Sequence, residues 1–197
     1  MRTEISIQPS MDVAGLKFFT DAISRSKCFL EYGCGGSTAY AAVTARVNTI
    51  ISVDTSKAWV DKVSEALAYT ETKLYIKHCD FGEVKNWGVP ASRAKSADFW
   101  KYMVTPWDAA KEHNLVPDTI LIDGRFRVAS FLYSLLSARV GTLLMFDDYL
   151  NRPQYFVVEK FCKLQEKHGR MGVFCAEHSY AVTDIVATIA EYSTNWA

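Results

Sequence analysis

The 197-residue chain lacks the features that mark several large classes of protein. Its 22 basic and 22 acidic residues cancel, so no basic surplus points to nucleic acid and no polybasic cluster points to an anionic membrane. No uninterrupted apolar stretch approaches the roughly 20 residues of a membrane span. Residues 1–10 lack the apolar core of a signal peptide. We therefore expect a cytoplasmic protein with no nucleic-acid partner and no membrane association.

Paired cysteine motifs are also missing. The five cysteines are scattered, their number is odd, and none belongs to a CxxC pair. Their spacings fit no zinc pattern, so we expect free thiols in a reducing compartment.

What the sequence does contain is alternation of strand and helix signals over one domain, residues 1–197. Apolar residues make up 49% of the chain, enough for a sizeable core. Such alternation predicts an α/β fold with a single doubly wound, mostly parallel, Rossmann-like sheet. The predicted strands are 28–33, 48–54, 73–78, 119–123 and 141–147, closed by two further strands at 172–176 and 181–191. The predicted helices are 11–25, 38–46, one beginning at 55 or 56, one after 123, and one from 152 to about 169.

One long segment, 81–117, interrupts this alternation and is rich in aromatic residues. An insertion of this length in a compact domain is often a functional lid. Trp87, Tyr102 and Trp107 either cover a substrate site or form a small secondary core, and the sequence leaves both interpretations open.

The most informative segment is Cys28-Phe-Leu-Glu-Tyr-Gly-Cys-Gly-Gly-Ser-Thr38. It combines a buried strand ending near Glu31, a glycine turn and the start of a helix. Such a turn brings backbone N–H groups and the positive end of a helix dipole close to a ligand. Glycine is needed because a Cβ would block the ligand or forbid the backbone angles. The carboxylate of Glu31 can accept hydrogen bonds from an amine or a hydroxyl. The segment therefore predicts a nucleoside-containing cofactor.

Carboxylates recur where the predicted strands end. In open parallel sheets ligands bind at the carboxyl ends of the strands, and crowded carboxylates favour a cationic ligand or a metal. The residues concerned are Glu31, Asp54, Asp80, Asp123, Asp147 and Asp148.

A dinucleotide-binding site is the first alternative. Its fingerprint needs a third glycine three residues after the second, and Thr38 occupies that position. An acidic rim would also repel a pyrophosphate. Both observations disfavour a nicotinamide cofactor.

The segment Leu30-Glu-Tyr-Gly-Cys-Gly-Gly-Ser37 resembles motif I of the class I S-adenosylmethionine-dependent methyltransferases. The resemblance implies a seven-stranded sheet whose last strand is antiparallel. It implies that Asp54 holds the ribose hydroxyls and that Asp80 contacts the adenine amine. Glu31 and the turn residues Gly33, Gly35 and Ser37 would hold the rest of the cofactor. The cofactor's chemistry agrees, since S-adenosylmethionine carries a sulfonium and an ammonium group and no phosphate.

The second half of the chain narrows the resemblance. Leu121-Ile-Asp-Gly-Arg-Phe-Arg127 and Leu144-Met-Phe-Asp-Asp-Tyr149 resemble the macrocin-type and catechol-type small-molecule O-methyltransferases. The resemblance implies a Mg²⁺ site formed by Asp123, Asp147 and Asp148, which would lower the pKa of an acceptor hydroxyl.

The sequence departs from that pattern at Arg125 and Arg127. These arginines could pair with Asp147 or Asp148 and replace the metal, or they could bind an anionic substrate. By its location Asp123 is the first candidate for the general base, and Arg125 is assigned to the catalytic site beside it.

We therefore expect methyl transfer to a small-molecule acceptor, with oxygen favoured, and homo-oligomerisation is left open. Two alternatives use the same fold. One is a non-catalytic protein that binds S-adenosylmethionine or serves as a scaffold, and the other is an enzyme of the aminopropyltransferase type.

Overall fold

A computed structural model describes residue 6 and residues 8–196. Seven strands form one sheet in the order β3-β2-β1-β4-β5-β7-β6. Pairing from β3 through β5 is parallel, and β7 is antiparallel to β5. The predicted fold class, with an antiparallel last strand, is confirmed. The strands are β1 (Cys28–Tyr32), β2 (Thr49–Asp54), β3 (Lys73–His78), β4 (Thr119–Ile122), β5 (Leu143–Phe146), β6 (Glu166–His168) and β7 (Met171–Cys175).

Helices cover both faces of the sheet because neighbouring strand residues point to opposite sides. Phe29 packs with the helices that precede β3, whereas Leu30 packs with those that follow it. The first layer consists of α1 (Val13–Ile23), α2 (Gly36–Ala39) with the π-helical turn Tyr40–Thr44 that continues it, and α3 (Lys57–Ala66). The second layer consists of α4 (Lys101–Glu112), α5 (Arg127–Ser137) and α6 (Val182–Tyr192).

Local signals explain several helix starts. Asp12 caps α1 by accepting a hydrogen bond from the Gly15 N–H at 2.9 Å. Ser56 caps α3, accepting from the Trp59 N–H at 3.3 Å, so one of the two predicted capping residues is the one used. No helix in the part of the chain described here is long and apolar enough to cross a bilayer.

Two predicted elements near the C-terminus are wrong. Residues 181–191 form the helix α6 and not a strand. The helix predicted from 152 to 169 is a 3₁₀ segment, Pro153–Lys160, followed by the short strand β6. The antiparallel hairpin therefore joins β6 to β7.

The segment 81–117 is only partly an insertion. Its second half contains α4, which is the crossover helix that a parallel connection from β3 to β4 requires. Its first half contains two short 3₁₀ turns, Asn86–Gly88 and Ser96–Asp98.

Candidate functional site

The carboxyl ends of the four central parallel strands lie side by side. Tyr32 is in register with Val53 on one side and with Ile122 on the other, and Ile122 is in register with Phe146. The residues at the ends of these strands, or directly after them, consequently meet at one edge of the sheet. They are Gly33, Asp54, Asp123 and Asp147.

The turn after β1 is closely packed and requires glycine at two positions. Gly33 has a φ of +94°, and a Cβ there would lie 2.9 Å from the Cα of Gly124. A Cβ on Gly36 would lie 2.5 Å from the carbonyl oxygen of Gln8. Around Gly35 the nearest atom to an added Cβ is Nε1 of Trp59 at 3.6 Å, an ordinary contact. The turn is thus a preformed backbone cradle that is closely packed at Gly33 and Gly36 and has room for a Cβ at Gly35.

Glu31 lies beneath this turn. One carboxylate oxygen accepts a hydrogen bond from Ser37 Oγ at 2.7 Å, and the other accepts a short bond from Thr38 Oγ1. The side chain is fully buried, and burial raises its pKa to about 7. In the structure Glu31 and Ser37 therefore hold the turn in place, and their direct contact with a cofactor remains a prediction.

Asp54, at the end of β2, lies next to the turn. Its Oδ1 accepts a hydrogen bond from the Ser56 N–H at 2.9 Å. Burial raises the pKa of Asp54, and hydrogen bonds from Ser56 and Thr55 together with the charge of Arg125 act in the opposite direction. A carboxylate thus lies beside the glycine turn, and its contact with a ribose remains a prediction.

A short hairpin-like segment, residues 83–91, which we call the strap, covers Asp54. An isolated bridge joins Val84 to Pro90. At its tip Gly88 accepts a hydrogen bond from Thr55 Oγ1 at 2.6 Å, and a Cβ on Gly88 would lie 3.4 Å from Asp54 Oδ1. Trp87, one of the three predicted covering aromatics, adopts a φ of 63° and is 83% exposed. The strap thus covers the carboxylate with backbone and presents the indole to solvent.

Replacing Gly88 by alanine is expected to destabilise the protein by about 1–3 kcal/mol more than replacing Gly82 by alanine. Both glycines have a positive φ, so the backbone penalty is similar. A Cβ at Gly88 would lie 2.4 Å from Thr55 Oγ1, whereas one at Gly82 would meet no atom within 4 Å. Urea unfolding of the two variants measures the difference, and equal losses would show that the strap is not seated on Thr55.

Asp80 lies outside this arrangement. Its carboxylate is exposed, pairs with Lys95 Nζ at 2.7 Å and accepts a hydrogen bond from the Gly82 N–H at 2.8 Å. The side chain thus faces the loop that follows β3, and the predicted contact with adenine stays a prediction.

The other carboxylates at this edge are held by arginines. Asp147 accepts two bonds from Arg170, with Nη2 at 3.0 Å and Nε at 3.2 Å. Asp148 pairs with Arg152 at 2.9 Å, with Arg170 at 2.9 Å and with Arg127 at 3.3 Å. Asp123 pairs with Arg127 at 3.0 Å. We call this group the carboxylate–arginine cluster; its members are Asp123, Arg127, Asp147, Asp148, Arg152 and Arg170.

The predicted Mg²⁺ site does not fit this cluster. Among residues 6 and 8–196, no group of three His, Cys, Asp or Glu side chains is arranged to hold a metal. Guanidinium groups already occupy the carboxylate oxygens that Mg²⁺ would need. The arrangement matches only in part the alternative in which arginine replaces the metal. Arg127 pairs with Asp148, whereas Arg125 pairs with neither Asp147 nor Asp148, and Arg170 holds both.

Asp123 keeps properties suited to accepting a proton. Burial raises its pKa to about 6, and the nearby Asp147 and Asp148 also raise it, while Arg127 lowers it. A carboxylate with this pKa is mostly ionised at neutral pH and lies in the range that general-base catalysis favours.

Tyr102 fills the space between the ends of β2 and β4. Its hydroxyl donates to the carbonyl of Val53 at 3.3 Å and accepts from the Arg125 N–H at 3.3 Å. The side chain is buried, and a Cβ on Gly124 would lie 2.0 Å from its oxygen. Trp107 donates to the hydroxyl of Tyr32 at 3.1 Å. Tyr102 and Trp107 thus belong to the core.

Sequence reasoning missed Arg152 and Arg170. Arg170 directly precedes β7, and because β7 is antiparallel to β5, Gly172 lies opposite Phe146 at the end of β5. A correct prediction of the β6–β7 hairpin would have placed Arg170 next to Asp147 and Asp148. Arg152 lies four residues after Asp148, in the loop that follows β5.

Solved structures share this fold. A methyltransferase-like protein from Silicibacter pomeroyi is 29% identical, with a TM-score of 0.87 over 98% of this chain and 100% of that chain. A candidate caffeoyl-CoA O-methyltransferase from Staphylococcus aureus is 11% identical, with a TM-score of 0.58 over 86% of each chain. A candidate O-methyltransferase from Klebsiella pneumoniae is 15% identical, with a TM-score of 0.53 over 87% of this chain and 84% of that one.

Protein-family models and curated proteins gave no match to the sequence. The structural likeness to the Silicibacter pomeroyi protein nevertheless covers 98% of the chain. The chain therefore has the Rossmann-like fold of the methyltransferases.

Proposed function

We propose that the protein is an S-adenosylmethionine-dependent methyltransferase that acts on a small-molecule acceptor, with oxygen as the favoured atom. The observation that carries the proposal is the position of Asp54 beside the glycine turn of Gly33–Gly36, in a fold shared with a methyltransferase-like protein.

The residues present fit this cofactor. Backbone N–H groups of the turn would hold the methionine part, although those of Gly33 and Gly35 already donate to the Val53 carbonyl and to Thr38 Oγ1. A carboxylate such as Asp54 can accept hydrogen bonds from both ribose hydroxyls. No phosphate has to be accommodated beside the acids at this edge.

The proposed chemistry needs one proton acceptor and accurate positioning. When bound, S-adenosylmethionine supplies a methyl group on a positively charged sulfur. Asp123 would take the proton from the acceptor hydroxyl as the oxygen bonds to the methyl carbon and the bond from that carbon to sulfur breaks, which would leave S-adenosylhomocysteine. Arg127 fixes the Asp123 carboxylate by pairing with one of its oxygens, and such positioning supplies much of the rate in a displacement that needs in-line geometry.

A non-catalytic protein of the same fold, which binds the cofactor or serves as a scaffold, is the second candidate. The strap favours the scaffold, because Gly88, held by Thr55, lies against the Asp54 carboxylate that would bind the ribose. Methyl transfer therefore requires the strap to accommodate the ribose.

Calorimetric titration distinguishes these functions. We expect S-adenosylhomocysteine, the demethylated product, to bind and NAD not to bind. Release of that product from S-adenosylmethionine in the presence of small phenols and carboxylic acids then separates the enzyme from the non-catalytic protein. Absence of binding would refute the enzyme and the cofactor-binding protein and would leave the scaffold.

A further inference from the structure

Arg125 differs from the other arginines at this edge of the sheet. Arg127, Arg152 and Arg170 each pair with at least one carboxylate. The side chain of Arg125 forms no ion pair with any residue that the structure describes. Its Nε is fully buried and has no hydrogen-bond partner. Arg125 thus has a buried N–H donor without an acceptor and no carboxylate partner among the described residues.

The charges of the cluster support this conclusion. Its three carboxylates are matched by its three guanidinium groups, so the cluster is neutral without Arg125. Burial lowers the pKa of Arg125, and the positive charge of Arg127 lowers it further. A buried donor without an acceptor lowers folding stability, so an anion at this point would remove a cost that the protein otherwise bears.

Arg125 also lies where a ligand is expected. Its backbone N–H contacts Tyr102, which fills the gap between β2 and β4. The charge of Arg125 lowers the pKa of Asp54, the proposed ribose acceptor. The charge of Asp123, the proposed base, raises the pKa of Arg125. The guanidinium is thus close enough to Asp54 and to Asp123 for their charges to interact.

We infer that Arg125 binds a carboxylate of a ligand at this edge of the sheet. The planar guanidinium matches the two oxygens of a carboxylate in a bidentate pair. The carboxylate has two sources, the methionine end of the cofactor or the acceptor itself. This inference deepens the proposed function and rests on it only for the cofactor source.

Arg125→Gln tests the inference in two arms. The first compares binding of S-adenosylhomocysteine with binding of 5′-methylthioadenosine, which shares the nucleoside and lacks the carboxylate. The second compares benzoate with its neutral analogue benzamide by protein-observed NMR. We expect the variant to weaken one carboxylate probe by about tenfold to a hundredfold and to leave its neutral partner unchanged. Weaker binding of S-adenosylhomocysteine would identify the cofactor as the source of the carboxylate, and weaker binding of benzoate would identify the acceptor.

Two further variants act as controls. Arg125→Lys keeps the positive charge but cannot form the bidentate pair of a guanidinium, so we expect an intermediate loss of affinity for the carboxylate probe. Arg139→Gln removes an exposed charge before β5, at the opposite edge of the sheet, and should change neither arm. The melting temperature of Arg125→Gln should be unchanged or higher, whereas a purely structural role for Arg125 would lower it.

The inference and the proposed function fail separately. Binding of benzoate that depends on Arg125, without binding of S-adenosylhomocysteine, would support the inference and refute the function. Equal affinities of wild type and Arg125→Gln in both arms, or no carboxylate binding by the wild type, would overturn the inference.

Discussion

Replacing Asp54 by alanine is expected to weaken the binding of S-adenosylhomocysteine by about a hundredfold or more. In the proposed complex the carboxylate accepts two hydrogen bonds from the ribose. A hydrogen bond to a charged group contributes about 1.5–3 kcal/mol, and about 1.4 kcal/mol corresponds to a factor of ten in affinity. Calorimetric dissociation constants of the wild type and the variant measure the effect.

The control for this prediction lies on the next helix. Asp61 is an exposed acid on α3 that pairs with Lys57, and Asp61→Ala removes the same charge without touching the site. We expect it to leave the affinity unchanged. Asp54→Asn retains one acceptor oxygen and should give an intermediate loss. Similar affinities for wild type and Asp54→Ala would show that the ribose is not held at the end of β2.

Replacing Arg127 by methionine is expected to cost about 3–5 kcal/mol of the free energy of unfolding, because it leaves Asp123 without its ion pair and three carbonyl groups without their donor. The side chain is 4% exposed and pairs with Asp123 and Asp148. It also donates to the carbonyl groups of Asp123, Gly124 and Asp147, at 2.8–2.9 Å. It therefore joins the end of β4 to the end of β5. Urea unfolding at pH 7 measures the loss.

An exposed pair provides the comparison. Lys17 and Asp21 are 77% and 58% exposed and pair along α1. Lys17→Met should cost less than about 1 kcal/mol, as surface ion pairs usually contribute little. A loss for Arg127→Met no larger than that of Lys17→Met would mean that the carboxylate–arginine cluster does not hold the strand ends together.

The central strands and their ends could be predicted because their signals are local. β-branched runs such as 49–54 are buried on both faces and end in an acid, and parallel register then brings the ends to one edge. The glycine turn could be located for the same reason, because its backbone angles and close contacts exclude most residues other than glycine.

The helix α6 shows where local signals mislead. Its β-branched residues favour a strand by propensity, and residues 181–191 were predicted as one. Ile185, Ile189 and Tyr192 nevertheless recur at helical spacing, and all three pack against the core beneath α5. Packing of that face against the core stabilises the helix, and an argument from propensity does not include such packing.

The partners of the acidic residues could not be predicted from local sequence. The bonds from Arg170 to Asp147 and Asp148 span 23 and 22 positions and depend on the placement of the β6–β7 hairpin. The contact of the strap with Thr55 spans 33 positions and depends on a backbone carbonyl, which carries no sequence signal. Residue types were enough to predict an acidic site at the strand ends. They were not enough to predict the arginines that pair with its carboxylates or the strap that covers Asp54.

Titration of the wild-type protein with S-adenosylhomocysteine in a calorimeter tests the central claim most directly. We predict saturable binding with one molecule per chain, and no heat from NAD under the same conditions. Absence of binding by the folded wild-type protein would contradict the proposal that the glycine turn and Asp54 form a cofactor site.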